Sequence, residues 1–276
     1  MGKIPLAALL AHWSARVGLA ILAVFVLLAA TIGILSSHDP NEWRAQEAMR
    51  PPSREYLFGT DASGRDIFTR VFFGARLSLA IGVTCVAGSA AVGIPLGALA
   101  GYFGRWVDSA ISRLVDVLLS FPSILLAIAI AASMGPGIDT VVISVGVVGI
   151  PQFARQTRAS VLSIKELDYV QASRALGFGH ARILFVHILP NALGPLIVLG
   201  TLSIGGAILS AAGLSFLGLG VESGTPEWGA MLHEGYSFWR RSSSLAVFSG
   251  LAISLAVLGF NLLGDGLRDA LDPKLR

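Results

Sequence analysis

Lysine is nearly missing from this 276-residue chain: Lys3, Lys165 and Lys274 stand against 17 arginines. A phosphate-binding loop needs Gly-Lys followed by Ser or Thr, so that backbone amides and the lysine ammonium hold the phosphates. These three lysines are followed by Ile4, Glu166 and Leu275, which excludes a P-loop ATPase. Cys85 is the one cysteine and lies in an apolar run, so neither an intrachain disulfide nor a Cys-based metal cluster is possible and it reads as a small core residue. Charge is scarce as well, at 13% of residues against about 25% in soluble domains. With 54% hydrophobic residues and a mean hydropathy of +0.73, the chain is an integral membrane protein.

The apolar stretches also lack acids, apart from Asp139 at a boundary, and His12, His38, His180, His187 and His233 fall in loops, at span ends or in a polar island. Proton-coupled carriers place a carboxylate or histidine inside the bilayer. A GxSG serine motif is missing, and His233-Glu234 is not followed by a second histidine at helical spacing, so it reads as a solvated loop pair and not as a zinc site. No basic, aromatic-interleaved patch forms a continuous face, and a nucleic-acid partner is not implied.

What is present is a set of long apolar runs. Val17 to Leu35 has no charge and is long enough to cross roughly 30 Å of hydrocarbon. It exceeds the apolar core of a signal peptide, about 7 to 15 residues, and reads as an uncleaved first span. Ser36 to Arg76 is a polar external region in which Arg65, Asp66, Thr69 and Arg70 fall on one helical face and Ile67, Phe68, Val71 and Phe72 on the other, predicting an interfacial amphipathic helix. Leu77 to Gly104 is the second span, with Gly93, Gly97 and Gly101 in a stripe where another helix can approach closely. Arg105, Asp108 and Arg113 predict a short connection, Val117 to Ile138 a third span, and Asp139 to Ala154 a short fourth ending at Pro151. A fifth opens at Gly194-Pro195 and runs to about Leu214, where Leu214 to Gly220 reads as a glycine-broken, re-entrant or half-helical stretch bordering the pathway. Glu222 to Arg241 is a second external loop, and Ser242 to Gly264 the sixth span.

Between the fourth and fifth spans lies a polar island, Gln152 to Asn191, with Arg155, Arg158, Lys165, Arg174 and Arg182. That charge places it on the cytoplasmic side. Asp168 can cap a short helix through Ala175, Gly177 and Gly179 can supply left-handed turn residues, and Pro190 can stop the following helix. The whole layout puts 12 of the 20 basic residues inside and eight outside, with both termini cytoplasmic.

Gln171, Ala172, Ser173, Gly177, Leu189 and Pro190 stand where permease subunits of binding-protein-dependent ABC importers carry Glu-Ala-Ala, three residues, Gly, then Leu-Pro. Here Gln171 replaces the usual Glu, Ser173 replaces Ala, and His187 sits where Ile is common. Gly59-Thr60-Asp61, Gly64-Arg65-Asp66, Leu214 to Gly220, Pro226-Glu227-Trp228-Gly229, Gly264 to Asp269 and Asp272-Pro273 resemble the dipeptide and oligopeptide branch of that family. The resemblance implies an all-α polytopic membrane protein with six transmembrane helices, the type I ABC importer transmembrane domain. It divides the chain into a tail and first helix (1–36), an external region with the interfacial helix (37–76), a five-helix core (77–265) holding a coupling loop at about 156–191, and a cytoplasmic tail (266–276).

It further implies a non-catalytic permease subunit that forms half of a pathway for di- or oligopeptides in the inner or plasma membrane of a bacterium or archaeon. The implied partners are a homologous permease, two ATPase subunits or domains on which the coupling loop docks, and an extracytoplasmic substrate-binding protein, besides membrane lipid. No cofactor is expected in this chain, with ATP and Mg bound on the ATPase partners. Nickel, glutathione or oligosaccharide permeases of the same family are alternative readings, and a secondary carrier or channel is the alternative of a different class.

Overall fold

The computed structural model describes the backbone of residues 6–271. Lys3, Asp272-Pro273 and Lys274 therefore lie outside the described residues. The chain runs through α1 (Leu6–Ala11), α2 (Trp13–Leu35), α3 (Ile67–Phe103), α4 (Arg105–Leu119), α5 (Ser123–Met134), α6 (Ile138–Ile164), α7 (Asp168–Ala175), α8 (His180–Phe216), α9 (Trp228–Ser237) and α10 (Ser244–Leu271). Five of these, α2, α3, α6, α8 and α10, are long and apolar enough to cross a membrane, and the bent pair α4 and α5 makes a sixth if taken as one span. At 1.5 Å per residue, the 37 residues of α3 reach about 55 Å and define two ends of the bundle.

Small residues set the helix contacts. A Cβ built on Gly93 would sit 2.6 Å from Phe153 Cβ, one on Gly97 2.2 Å from the Ala154 carbonyl oxygen, and one on Gly101 2.9 Å from that of Arg158. The stripe expected on α3 thus brings it backbone to backbone with α6. Gly18 meets Gly259 and Leu263 in the same way, packing α2 on α10.

Several boundaries differ from the sequence expectation. Pro151 lies inside α6 and does not end it, and Pro195 lies inside α8, since losing one N–H within a long buried helix is tolerable when neighbours pack around it. The third span is broken: the chain turns 86° between α4 and α5, where Pro122 disfavours helix at the preceding Phe121. The expected short connection is instead the 15-residue helix α4, and α5, with 12 residues, covers only about 18 Å.

Leu214 to Gly220 forms no re-entrant half-helix. α8 ends in a Schellman turn, with Gly218 at φ +79°, Gly218 N–H donating to Ser215 O at 3.0 Å and Leu219 N–H to Leu214 O at 3.0 Å. Gly137 N–H donates to Gly220 O at 2.9 Å, so the turn between α5 and α6 lies at this end too.

The interfacial helix is also corrected. Residues 67–72 are the first turns of α3, and their polar side faces protein: Arg70 is 0% exposed and Arg65 4%. Arg65 Nε lies 2.7 Å from Asp61 Oδ2 and Arg70 Nη1 3.1 Å from the same oxygen, while both guanidinium groups reach Glu234 on α9 and the Gly224 carbonyl. Glu234 is therefore an ion-pair partner in a helix and not a solvated loop residue, and His233 Nδ1 donates to Phe216 O at 2.7 Å. Two arginines against two carboxylates leave the cluster formally neutral, the condition under which buried charge is tolerated. Beside it, Trp228 is fully buried, donates from Nε1 to Val71 O at 2.8 Å and packs edge-on against Phe25. Residues 36–66 and 222–241 are thus welded to the start of α3.

Candidate functional site

At the opposite end of α3 the island folds as a compact loop. α7 closes in a second Schellman turn, with Gly177 at φ +78°, Gly177 N–H donating to Arg174 O at 2.9 Å and Phe178 N–H to Ser173 O at 3.2 Å. A side chain at φ near +78° costs roughly 1 to 2 kcal/mol, which explains glycine here. Gly179, expected to be left-handed as well, has φ −65° and is ordinary. Asp168 does not cap: Leu167 holds the N-cap position, and Asp168 is the first helical residue, where its charge suits the helix N-terminus.

Pro190 does not stop a helix either. Residues Ile183–Ile188 form a π segment in which Leu189 N–H donates to Leu184 O, and α8 continues straight through the proline. A π turn displaces the hydrogen-bond register by one residue, so the missing proline N–H is absorbed without a break. The freed His187 carbonyl accepts from Asn191 Nδ2 at 2.7 Å and from the Tyr169 hydroxyl at 3.2 Å.

The loop has its own core. Val170, Ile183, Leu184 and Ile188 are buried together with Val161 of α6 and with Ala98 and Tyr102 of α3. Ser173 belongs to this inner side and donates to Tyr169 O at 2.8 Å. Leu189 and Pro190 are half-buried in the supporting helix. Gln171, Ala172 and Gly177 face outward, with Leu176 beside them at 73% exposure. The six residues picked from sequence thus divide into a presented surface (Gln171, Ala172, Gly177) and a support (Ser173, Leu189, Pro190).

Gln171 Nε2 donates to the Lys165 carbonyl at 3.0 Å, a bond that the family's usual Glu, an acceptor when ionised, could not make. Three braces were not foreseen. Tyr102 Oη and His180 Nδ1 share a hydrogen bond of 2.9 Å, Lys165 Nζ donates to Gly101 O at 2.9 Å, and Arg158 grips Asp108 of α4 through Nε and Nη2 at 2.5 and 2.6 Å. Two join residues of different helices and the third ties Lys165, just past the end of α6, to α3, and no local pattern announces them. Two of them tie the loop's flanks, Lys165 and His180, to the end of α3, and the third ties α6 to α4.

A bundle of membrane-spanning helices that carries a braced, outward-facing helical turn at one end is the build of a transport permease. The chain belongs to the family of binding-protein-dependent transport system inner membrane components, whose model matches residues 93–276. It is 48% identical over 262 residues to a dipeptide transport system permease protein of Alkalihalophilus pseudofirmus, covering 95% of this chain and 86% of that one. A di/tripeptide transport system permease protein of Pseudomonas aeruginosa is 46% identical over 94% of this chain and 88% of its own. A glutathione transport system permease protein of Pectobacterium atrosepticum is 46% identical over 92% and 86%. Among solved structures, an inward-facing form of the MetNI methionine ABC transporter superposes with a TM-score of 0.61 at 19% identity, covering 74% of this chain and 97% of that one. The fold is that of a type I ABC importer transmembrane domain.

Proposed function

We propose that this chain forms half of the pathway of an ATP-driven peptide importer. The observation that carries this reading is the similarity, at 46 to 48% identity, to permeases named for dipeptides and di- or tripeptides. Glutathione, the substrate named for another relative of equal similarity, is itself a tripeptide and stands as the second reading. The partners are a related permease, two ATPase subunits that bind ATP and Mg, and an external binding protein. The turn at Gln171 to Gly177 is the ATPase-docking element and faces the cytoplasm, as do both termini. ATP binding closes the ATPases and moves this turn; because its core is continuous with α3 and α6, the ends of those helices move with it and the cavity switches between inward and outward access.

The test uses the complex coexpressed from its four kinds of subunit in proteoliposomes, with alanyl dipeptides and glutathione as competing solutes. ATP-dependent dipeptide uptake that glutathione does not inhibit is expected. Uptake of glutathione alone would select the second reading, and ATP-independent uptake would contradict both. In the same complex, single cysteines at Leu176 and Ser223 in a Cys85→Ser background label from opposite sides of the membrane, whereas same-side labelling would overturn the orientation.

A further inference from the structure

α3, α5, α6 and α8, with Leu119 at the end of α4, line an open cavity of about 800 Å³. Its polar lining is unusual for helices of this apolarity. From α6 come Gln152 and Gln156, one helical turn apart, and from α8 come Ser203 and Ser210, two turns apart. Among the described residues none of these four side chains has a hydrogen-bond partner, and the Ser203 hydroxyl is buried without one. Uncapped amides and hydroxyls inside a membrane span are costly unless they face water or protein. Gly206, between the two serines, faces open space: a Cβ there would meet no atom within 4 Å. Neither a carboxylate nor an imidazole lines the cavity, and its single charged residue, Arg155, pairs at 2.8 Å with the exposed Asp116.

Resting on the peptide-importer reading, we infer that this wall is the stretch of the pathway along which the peptide passes, and that it holds peptides through neutral hydrogen bonds to their backbone amides, without selecting on side-chain charge. Amide and hydroxyl groups can both donate and accept, which suits a chain of peptide N–H and C=O groups in any register. Apart from Arg155, whose charge Asp116 balances, the wall is neutral and neither attracts nor repels a lysine or glutamate side chain, whereas an unpaired fixed charge in a low-dielectric passage would do so strongly. Discrimination by charge is left to whatever delivers the peptide.

The experiment introduces a charge into the wall and reads its sign. In the full reconstituted importer, uptake of Ala-Lys and Ala-Glu is compared at saturating binding protein for the unmodified chain, Ser203→Asp and Ser203→Lys. The expected result is an Ala-Lys to Ala-Glu uptake ratio raised at least tenfold by Ser203→Asp and lowered at least tenfold by Ser203→Lys. Ser210→Asp and Ser210→Lys, two turns along the same helix, repeat the test if the first pair does not assemble, and the same opposite shifts are expected. Gly206→Trp should block uptake at least tenfold with the binding-protein stimulation of ATP hydrolysis retained, while Gly33→Trp on α2, where a Cβ also meets no atom within 4 Å, should leave uptake unchanged. Equal loss of both peptides in the charged variants, or an unchanged ratio, would overturn the proposal and make this face a subunit interface. If the unmodified complex carries neither peptide, the peptide reading itself fails, and the two failures are distinct.

Discussion

The two ends of α3 are built on opposite terms. At its start, charge is buried and paired: Arg65 and Arg70 lie among Asp61, Glu234 and a carbonyl, and loops from both sides of the sequence are fastened around them. At its far end, charge and apolar surface are presented outward on a small loop whose own core is only a few side chains deep, with Leu176 73% exposed. Both ends use the same local device, a Schellman turn with a glycine at φ +78° or +79°. The same backbone geometry therefore finishes a welded cap in one place and an exposed, braced loop in the other. What differs is what surrounds the turn: buried ion pairs at one end and open surface at the other.

The comparison is sharpened most by breaking the welded end. Arg70→Met removes one cation from a buried cluster and leaves Asp61 and Glu234 without that partner, which should cost about 3–5 kcal/mol. Thermal unfolding in detergent is expected to drop by several degrees or the protein to fail to accumulate. A stability equal to that of the unmodified chain would mean the cluster is solvated and the cap is loose.

A smaller effect is expected at the loop end. Tyr102→Phe deletes the hydroxyl that joins α3 to His180 and should cost about 1 kcal/mol of local stability. Hydrogen exchange over residues 168–182 should quicken about fivefold, that factor being the same free energy expressed as a population. Exchange near residues 218–224 should not change. Quickening at both ends alike would show that the braces do not define a separate unit.

Much of this was legible in the sequence, for identifiable reasons. Glycines four apart on α3 predicted a close helix contact because only the absence of side chains allows one, and α6 fills it. Gly177 was legible as a left-handed residue because a short helix had to end there. Prolines misled: Pro151, Pro190 and Pro195 each suggested a boundary, yet all three are carried inside helices, one of them through a π segment whose register shift has no sequence signature. Pro122 did break a span, and the sequence pattern did not distinguish it from the others. The amphipathic turn at Arg65 to Phe72 was read as facing the membrane surface because its partner Glu234 lies 169 residues away from Arg65, beyond any periodicity argument. The braces at Tyr102 and Asp108 were missed on the same ground.

The central claim is that the turn at Gln171 to Gly177 docks the ATPase partners, and the two matched glycines test it most directly. Gly177→Val and Gly218→Val impose the same backbone strain, roughly 1 to 2 kcal/mol, at positions where a Cβ meets no atom within 4 Å in the chain itself. In quantitative pull-down of coexpressed ATPase subunits, Gly218→Val should retain them at the level of the unmodified chain, while Gly177→Val, fully inserted in the membrane, should lose them. Equal retention by both variants would show that the loop is not the coupling element.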